Sequence, residues 1–393
     1  MFKVLLSTSF FVFLAQLVSF FSIPYIGSLS GADQFGIYSQ LIGISAVLAV
    51  FASLKGEYLY YSVDGADVGT VSVLCFFMVV VTAIIAAMYA MFSQEYLLSL
   101  AMWLSVASTI IFDYRLQLNI SQGRFNENNI HRLIRAFAFP VFVFTFSKFD
   151  TISAQVILIS FSLSSLSPLF FVNYINLDVE IVLARLYKIY SSIKLNALAM
   201  VPAHFLKQYS LASVFIISSF AGGDTQQMGV YAMLFKFIIA PASIIATAIG
   251  EVYRKRLMDS PATAWIFYKK VMMLVVPISL VTATFLHFYG AQLFILIMDE
   301  TWAGAEIYIP FLLPLLISSI CFPPITYTYL VLGLQKKDLT WQIANSIVVT
   351  IAVFVGFQFD LYTAVGAYAL VYSFMLFLSF LFCVRILRVR QAQ

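Results

Sequence analysis

Long apolar stretches alternate with short polar breaks along almost the whole chain. Each stretch is close to the roughly 20 residues that a helix needs to cross the hydrocarbon of a bilayer. The pattern predicts about twelve spans, near 4–27, 36–56, 69–92, 97–120, 131–148, 152–173, 195–219, 228–250, 270–290, 305–332, 340–358 and 362–384. Pro140 and the charges of Arg132 and Arg135 interrupt the fifth. The tenth contains Pro310, Pro314, Pro323 and Pro324, so a bent or broken helix is expected there, because proline removes a backbone donor. Two longer connections, near 174–194 and 251–269, look amphipathic. The stretch from Val4 to Ile26 is long for a signal peptide and lacks a small-residue cleavage site, so it reads as a first membrane helix.

A polar break recurs. Gly31-Ala32-Asp33-Gln34-Phe35-Gly36-Ile37-Tyr38 separates the first two spans, and Gly223-Asp224-Thr225-Gln226-Gln227-Met228-Gly229-Val230-Tyr231 separates the seventh and eighth. A second pair of Gly-led turns, at Gly123 and Gly333, follows the fourth and tenth spans. Two pairs in the same order predict a parallel repeat of six spans, an arrangement typical of transporters. The expected fold class is therefore all-α and integral to the membrane, with two six-helix lobes. The domain reading is an N-lobe over 1–175, an amphipathic linker over 176–194 and a C-lobe over 195–393.

Composition agrees with this pattern. Of 393 residues, 62% are hydrophobic and 10% charged, against about a quarter charged in soluble domains. Lys and Arg collect at alternate ends of the spans: Lys3, Arg124, Arg132, Arg135, Arg185, Lys188, Lys194, Arg254, Lys255, Arg256, Lys269, Lys270, Lys336, Lys337, Arg385, Arg388 and Arg390. The opposite loops carry mostly acids, including Asp33, Glu95, Asp224, Asp299, Glu300, Glu306 and Asp360. Positive charge marks the cytoplasmic side, which places both termini in the cytoplasm. Cys75, Cys321 and Cys383 show neither disulfide nor zinc spacing, and no phosphate loop or nucleophile–base pattern is present. No cofactor, metal or nucleic-acid partner is expected.

Ionisable residues within spans are costly and usually face a cavity or a partner. Lys207 lies near the middle of the seventh span, with His204 and Gln208 on the same helical face. Lys236 falls about 10 Å along the eighth span at 1.5 Å per residue, where the first half has Gly43. The two lysines and the imidazole suit an anionic group such as a pyrophosphate, and both lysines are expected to face one cavity. Arg115 and Lys55 are further candidates, each also compatible with a structural ion pair or interfacial snorkelling. Asp113, Glu57 and Glu251 are the carboxylates available for proton or sodium coupling. Tyr58, Tyr60 and Tyr61 read as an interfacial belt, and Arg254–Arg256 as a topology signal that also attracts anionic lipid.

The hairpin from Pro24 to Tyr38 resembles the first hairpin of Wzx-type polysaccharide repeat-unit flippases, within the multidrug/oligosaccharidyl-lipid/polysaccharide (MOP) exporter superfamily. The segment Leu296-Ile297-Met298-Asp299-Glu300-Thr301-Trp302-Ala303-Gly304-Ala305 resembles the same family's Gly-x-x-Trp-x-x-Ala region, with Met298 where glycine is usual. The resemblance implies two lobes around a central cavity and no enzymatic activity. It also implies flipping of an undecaprenyl-pyrophosphate-linked oligosaccharide across a bacterial inner membrane, for O-antigen or capsule synthesis. A polysaccharide polymerase and a chain-length regulator are implied partners. The alternatives are MATE-like drug or cation efflux, which favours buried carboxylates, and a membrane polymerase or glycosyltransferase, which commonly needs a large periplasmic loop.

Overall fold

The computed structural model describes residues 2–56, 68–122, 124–149, 151–166, 179–298, 302 and 304–391. Glu57, the tyrosines at 58, 60 and 61, Gly123, Asp299, Glu300, Thr301, Ala303 and the stretch 167–178 lie outside the described residues, as do the side chains of 179–198 and of Glu251.

The described residues form α-helices and short 3-10 turns, with no strand among them. In chain order the helices are α1 (Phe2–Ser53), α2 (Val68–Ser93), α3 (Tyr96–Ser121), α4 (Phe125–Phe146), α5 (Ala154–Leu166) and α6 (Val179–Ala221). They continue as α7 (Thr225–Asp259), α8 (Pro261–Ile297), α9 (Ile309–Cys321), α10 (Tyr327–Val331), α11 (Gln335–Phe357) and α12 (Leu361–Gln391). Among the described residues, seven stretches are long and apolar enough to cross a membrane, and the bent pair Ala305–Cys321 with Pro323–Val331 makes an eighth. The protein is a multi-pass membrane protein. Its exposed side chains include Phe76, Phe92, Met273, Leu274, Val281 and Leu296, groups that only a lipid solvent accommodates on such a scale.

The first two spans lie in α1, and the break between them is at Gly31, with φ 75° and ψ 165°. That backbone region is essentially closed to residues with a Cβ. The second copy of the motif opens α7 differently. Asp224 is its N-cap, accepting the backbone N–H groups of Gln226 at 2.9 Å and Gln227 at 3.3 Å. Asp360 similarly accepts the Thr363 N–H at 2.6 Å as α12 begins, which holds its carboxyl below the usual carboxylate range.

Both longer amphipathic connections are helical where they are described. The connection at 251–269 is helical on both sides of Ser260: α7 runs on to Asp259, and Pro261 occupies the first turn of α8, where its missing N–H costs nothing. Likewise the described part of the 174–194 connection is already helix from Val179. Apolar content marks the membrane, whereas helical hydrogen bonding continues through the basic residues beyond it.

The expected break in the tenth span lies at Phe322, between α9 and a 3-10 turn over Pro323–Thr326, with a bend of 43°. Here the Ile325 N–H turns to the Phe322 carbonyl, and the Tyr268 hydroxyl donates to the Cys321 carbonyl at 2.6 Å. A broken helix inside a bilayer survives only when its freed backbone groups find such partners.

The chain divides into two compact units. One comprises Met1–Ser30 and Ile37–Gln208; the other comprises Gly31–Gly36 and Tyr209–Gln393. The first packs α2 on α3, and α5 on both α3 and α4, with Ala49, Cys75, Val106, Ile110 and Tyr114 in one buried cluster. The second packs α9 against α7, α8 and α12, over a core that includes Tyr253, Tyr268, Ile325, Tyr329 and Cys383. All three cysteines are buried.

Candidate binding site

Three of the candidate cations come together in the first unit. The rings of Phe51, near the end of α1, and Phe205, in α6, pack edge to face with centroids 6.0 Å apart. Leu54 and Lys55 then both take left-handed backbone, with φ 47° and 52°, and the Lys55 N–H donates to Ser53 Oγ at 3.2 Å. Lys55 and Lys207 both act electrostatically on the His204 imidazole of α6. His204, Lys207 and Gln208 share a helical face, and all three are half-buried, as is Lys55. The fields of Lys55 and Lys207 that reach the His204 imidazole would stabilise an anion bound there.

Lys236 lies in the second unit. Its Nζ sits 4.6 Å from the centroid of the Phe35 ring, which is itself 1% exposed and meets Trp302 edge to face at 6.0 Å. Phe35 belongs to the first motif copy, and Lys236 follows the Gly229 of the second by two helical turns, on the same face. The motif copies are in direct contact. The Thr225 hydroxyl donates to the Asp33 carboxylate. A Cβ on Gly36 would run into the Thr225 carbonyl and lie 2.8 Å from the Gly229 nitrogen. A Cβ on Gly229 would run into the Ala32 carbonyl and lie 3.1 Å from the Gly36 nitrogen. The shared glycines of the repeat thus meet each other at a backbone-to-backbone crossing, the role small residues have in membrane helix packing.

Arg115 takes the structural option. Its Nη2 lies 3.5 Å from Glu127 Oε2, and Arg124 Nη1 lies 3.6 Å from the other oxygen of the same carboxylate. Beside them Asn119 Nδ2 donates to Asn128 Oδ1 at 2.9 Å, and Asn128 Nδ2 to the Leu116 carbonyl at 3.0 Å, which ties α3 to α4. Asp113, on a different face, interacts electrostatically with Arg135. Glu57 and the Glu251 side chain lie outside the described residues.

Arg135 was legible in sequence only as a charge at the start of the fifth span. In the fold its guanidinium lies between two rings, 4.5 Å from the Phe112 centroid and 4.6 Å from that of Phe161. Buried Tyr38, from the first motif copy, completes the surroundings and packs on Phe139 at 6.5 Å. The signal was available as an arginine one turn after His131 within an apolar run, but the partners come from other helices.

No protein-family model matches the sequence, and no curated protein matches it. Solved structures do match in fold. The lipid II flippase MurJ, in an inward closed conformation, superposes with a TM-score of 0.71 at 11% identity, over 97% of this chain and 87% of that one. The MATE multidrug transporter DinF-BH gives 0.64 at 13% identity, over 98% and 95%. A MOP superfamily transporter from Pyrococcus furiosus, described as having a binding pocket of reverse polarity that suggests a different function, gives 0.56 at 12% identity, over 98% and 96%. The chain has the fold of MOP-superfamily membrane transporters.

Proposed function

We propose that this protein is a flippase that carries an undecaprenyl-pyrophosphate-linked oligosaccharide repeat unit across the bacterial inner membrane by alternating access, for O-antigen or capsule synthesis. The observation that carries this reading is the grouping of Lys55, His204 and Lys207 within a chain that shares the MurJ fold. Ammonium groups hold a pyrophosphate by charge-assisted hydrogen bonds with no bond-making chemistry. Lys236, its Nζ over the Phe35 ring, is a further candidate cation in the second unit. The N-lobe over 1–175, the linker over 176–194 and the C-lobe over 195–393 then act as the moving parts, with both termini in the cytoplasm and the polyprenyl tail left in the lipid.

The likeness to DinF-BH favours a second reading, efflux of an organic cation. Such a substrate calls on a carboxylate, and Asp113 is the described candidate. Here Asp113 interacts with Arg135, which compensates its charge. A deletion strain separates the two readings. Loss of surface polysaccharide with unchanged drug susceptibility is the expected outcome; drug hypersensitivity with intact polysaccharide would replace the flippase reading. Complementation with Lys207→Ala or Lys236→Ala should restore less polysaccharide than wild type, and full restoration by both would remove these lysines from the site.

A further inference from the structure

The second unit contains a groove of about 700 Å³ along the exposed face of α8, remote in sequence from every candidate cation above. This is within the roughly 300–1,000 Å³ of ligand sites. Its floor is Tyr268, 2% exposed and fixed by the bond from its hydroxyl to the Cys321 carbonyl. Trp265 stacks on Tyr268 at 6.0 Å with 15° between the rings, and Phe380 of α12 flanks it at 6.2 Å. These rings make a rigid wall.

The groove's charged lining is basic. Lys269 and Lys270 line it one turn beyond Trp265 and Ile266, both exposed, with Lys269 Nζ 5.5 Å from the Trp265 centroid. From there Met273 and Pro277 continue down the same helical stripe at intervals of four residues. The distance from Lys269 to Pro277 is about 12 Å at 1.5 Å per residue, close to the depth of one hydrocarbon leaflet. Met273 is 71% exposed, and Leu274 and Ile278 beside it are exposed too, so this face of α8 looks toward lipid. The lining holds two ammonium groups and no carboxylate.

We propose that this groove is a binding site for one anionic phospholipid, its phosphate held between Lys269 and Lys270 and one acyl chain laid along Met273 and Pro277. Any groove facing lipid fills with hydrocarbon, so apolar contact alone selects nothing. Selection comes from the charge of the two lysines, which complements an anionic headgroup and is indifferent to a zwitterion. Two lysines near an anionic lipid surface favour it by about tenfold or more.

The test uses the purified full chain in detergent, with phosphatidylglycerol and phosphatidylcholine of identical acyl chains as probes. Retention by native mass spectrometry and the unfolding midpoint are both recorded. Phosphatidylglycerol should be retained about tenfold better and should raise the midpoint more. The Lys269→Gln/Lys270→Gln pair should abolish that preference while keeping the lipid-free midpoint. Met273→Trp, which fills the groove, should weaken retention of both lipids. Equal retention of the two lipids by wild type, or a preference that survives the double substitution, would overturn the proposal. Competition by inorganic phosphate at matched concentration would assign the lysines to a free anion and also overturn it. So would stronger retention of a polyprenyl phosphate than of phosphatidylglycerol, which would give the groove to a polyprenyl lipid.

Discussion

Arg135 holds its charge inside an apolar helix because three separate contacts compensate for lost water. Two are ring faces, from Phe112 and Phe161, and the third is the field of Asp113. A desolvated cation–π contact contributes about 2 kcal/mol, and Arg135 makes two of them. Arg135→Met should therefore lower the unfolding midpoint strongly. Arg135→Met combined with Asp113→Asn should recover part of the loss, since no uncompensated carboxylate remains. Additive losses would show that the two groups do not interact. Arg115→Ala should cost more than the roughly 1 kcal/mol of an exposed ion pair, because its side chain is only 12% exposed.

The described membrane helices were legible because each carries an apolar run of its own; the Asp224 cap and the start of α8 at Pro261 were not read. The break at Phe322 was legible from Pro323 and Pro324. What adjacent residues cannot encode is which helix meets which. Hence Arg135 read only as a topology charge, and the ring partners that surround it were not legible. The repeated motif was the exception, because a glycine needed for close approach marks a contact before its partner is known. Its two copies touch each other at Gly36 and Gly229. Gly229→Ala should force the backbones apart and cost about 1–3 kcal/mol, the usual penalty of overpacking. Thermal unfolding in detergent checks this, and an unchanged midpoint would mean that the crossing relaxes freely.

Both units carry candidate cations. The first gathers Lys55, His204 and Lys207 where α1 ends against α6, and the second supports Lys236 on a ring donated by the repeat motif. The scaffold is shared with transporters of different cargo, so function follows from these side chains and not from the fold. The most direct measurement is flipping of a polyprenyl-pyrophosphate-linked oligosaccharide by the purified protein in proteoliposomes, comparing wild type with Lys207→Ala. Wild type should accelerate translocation well above empty vesicles, and Lys207→Ala should slow it by about tenfold or more, the worth of one hydrogen bond to a charged group. No acceleration by wild type, or an unchanged rate in Lys207→Ala, would contradict a cationic site that carries the pyrophosphate.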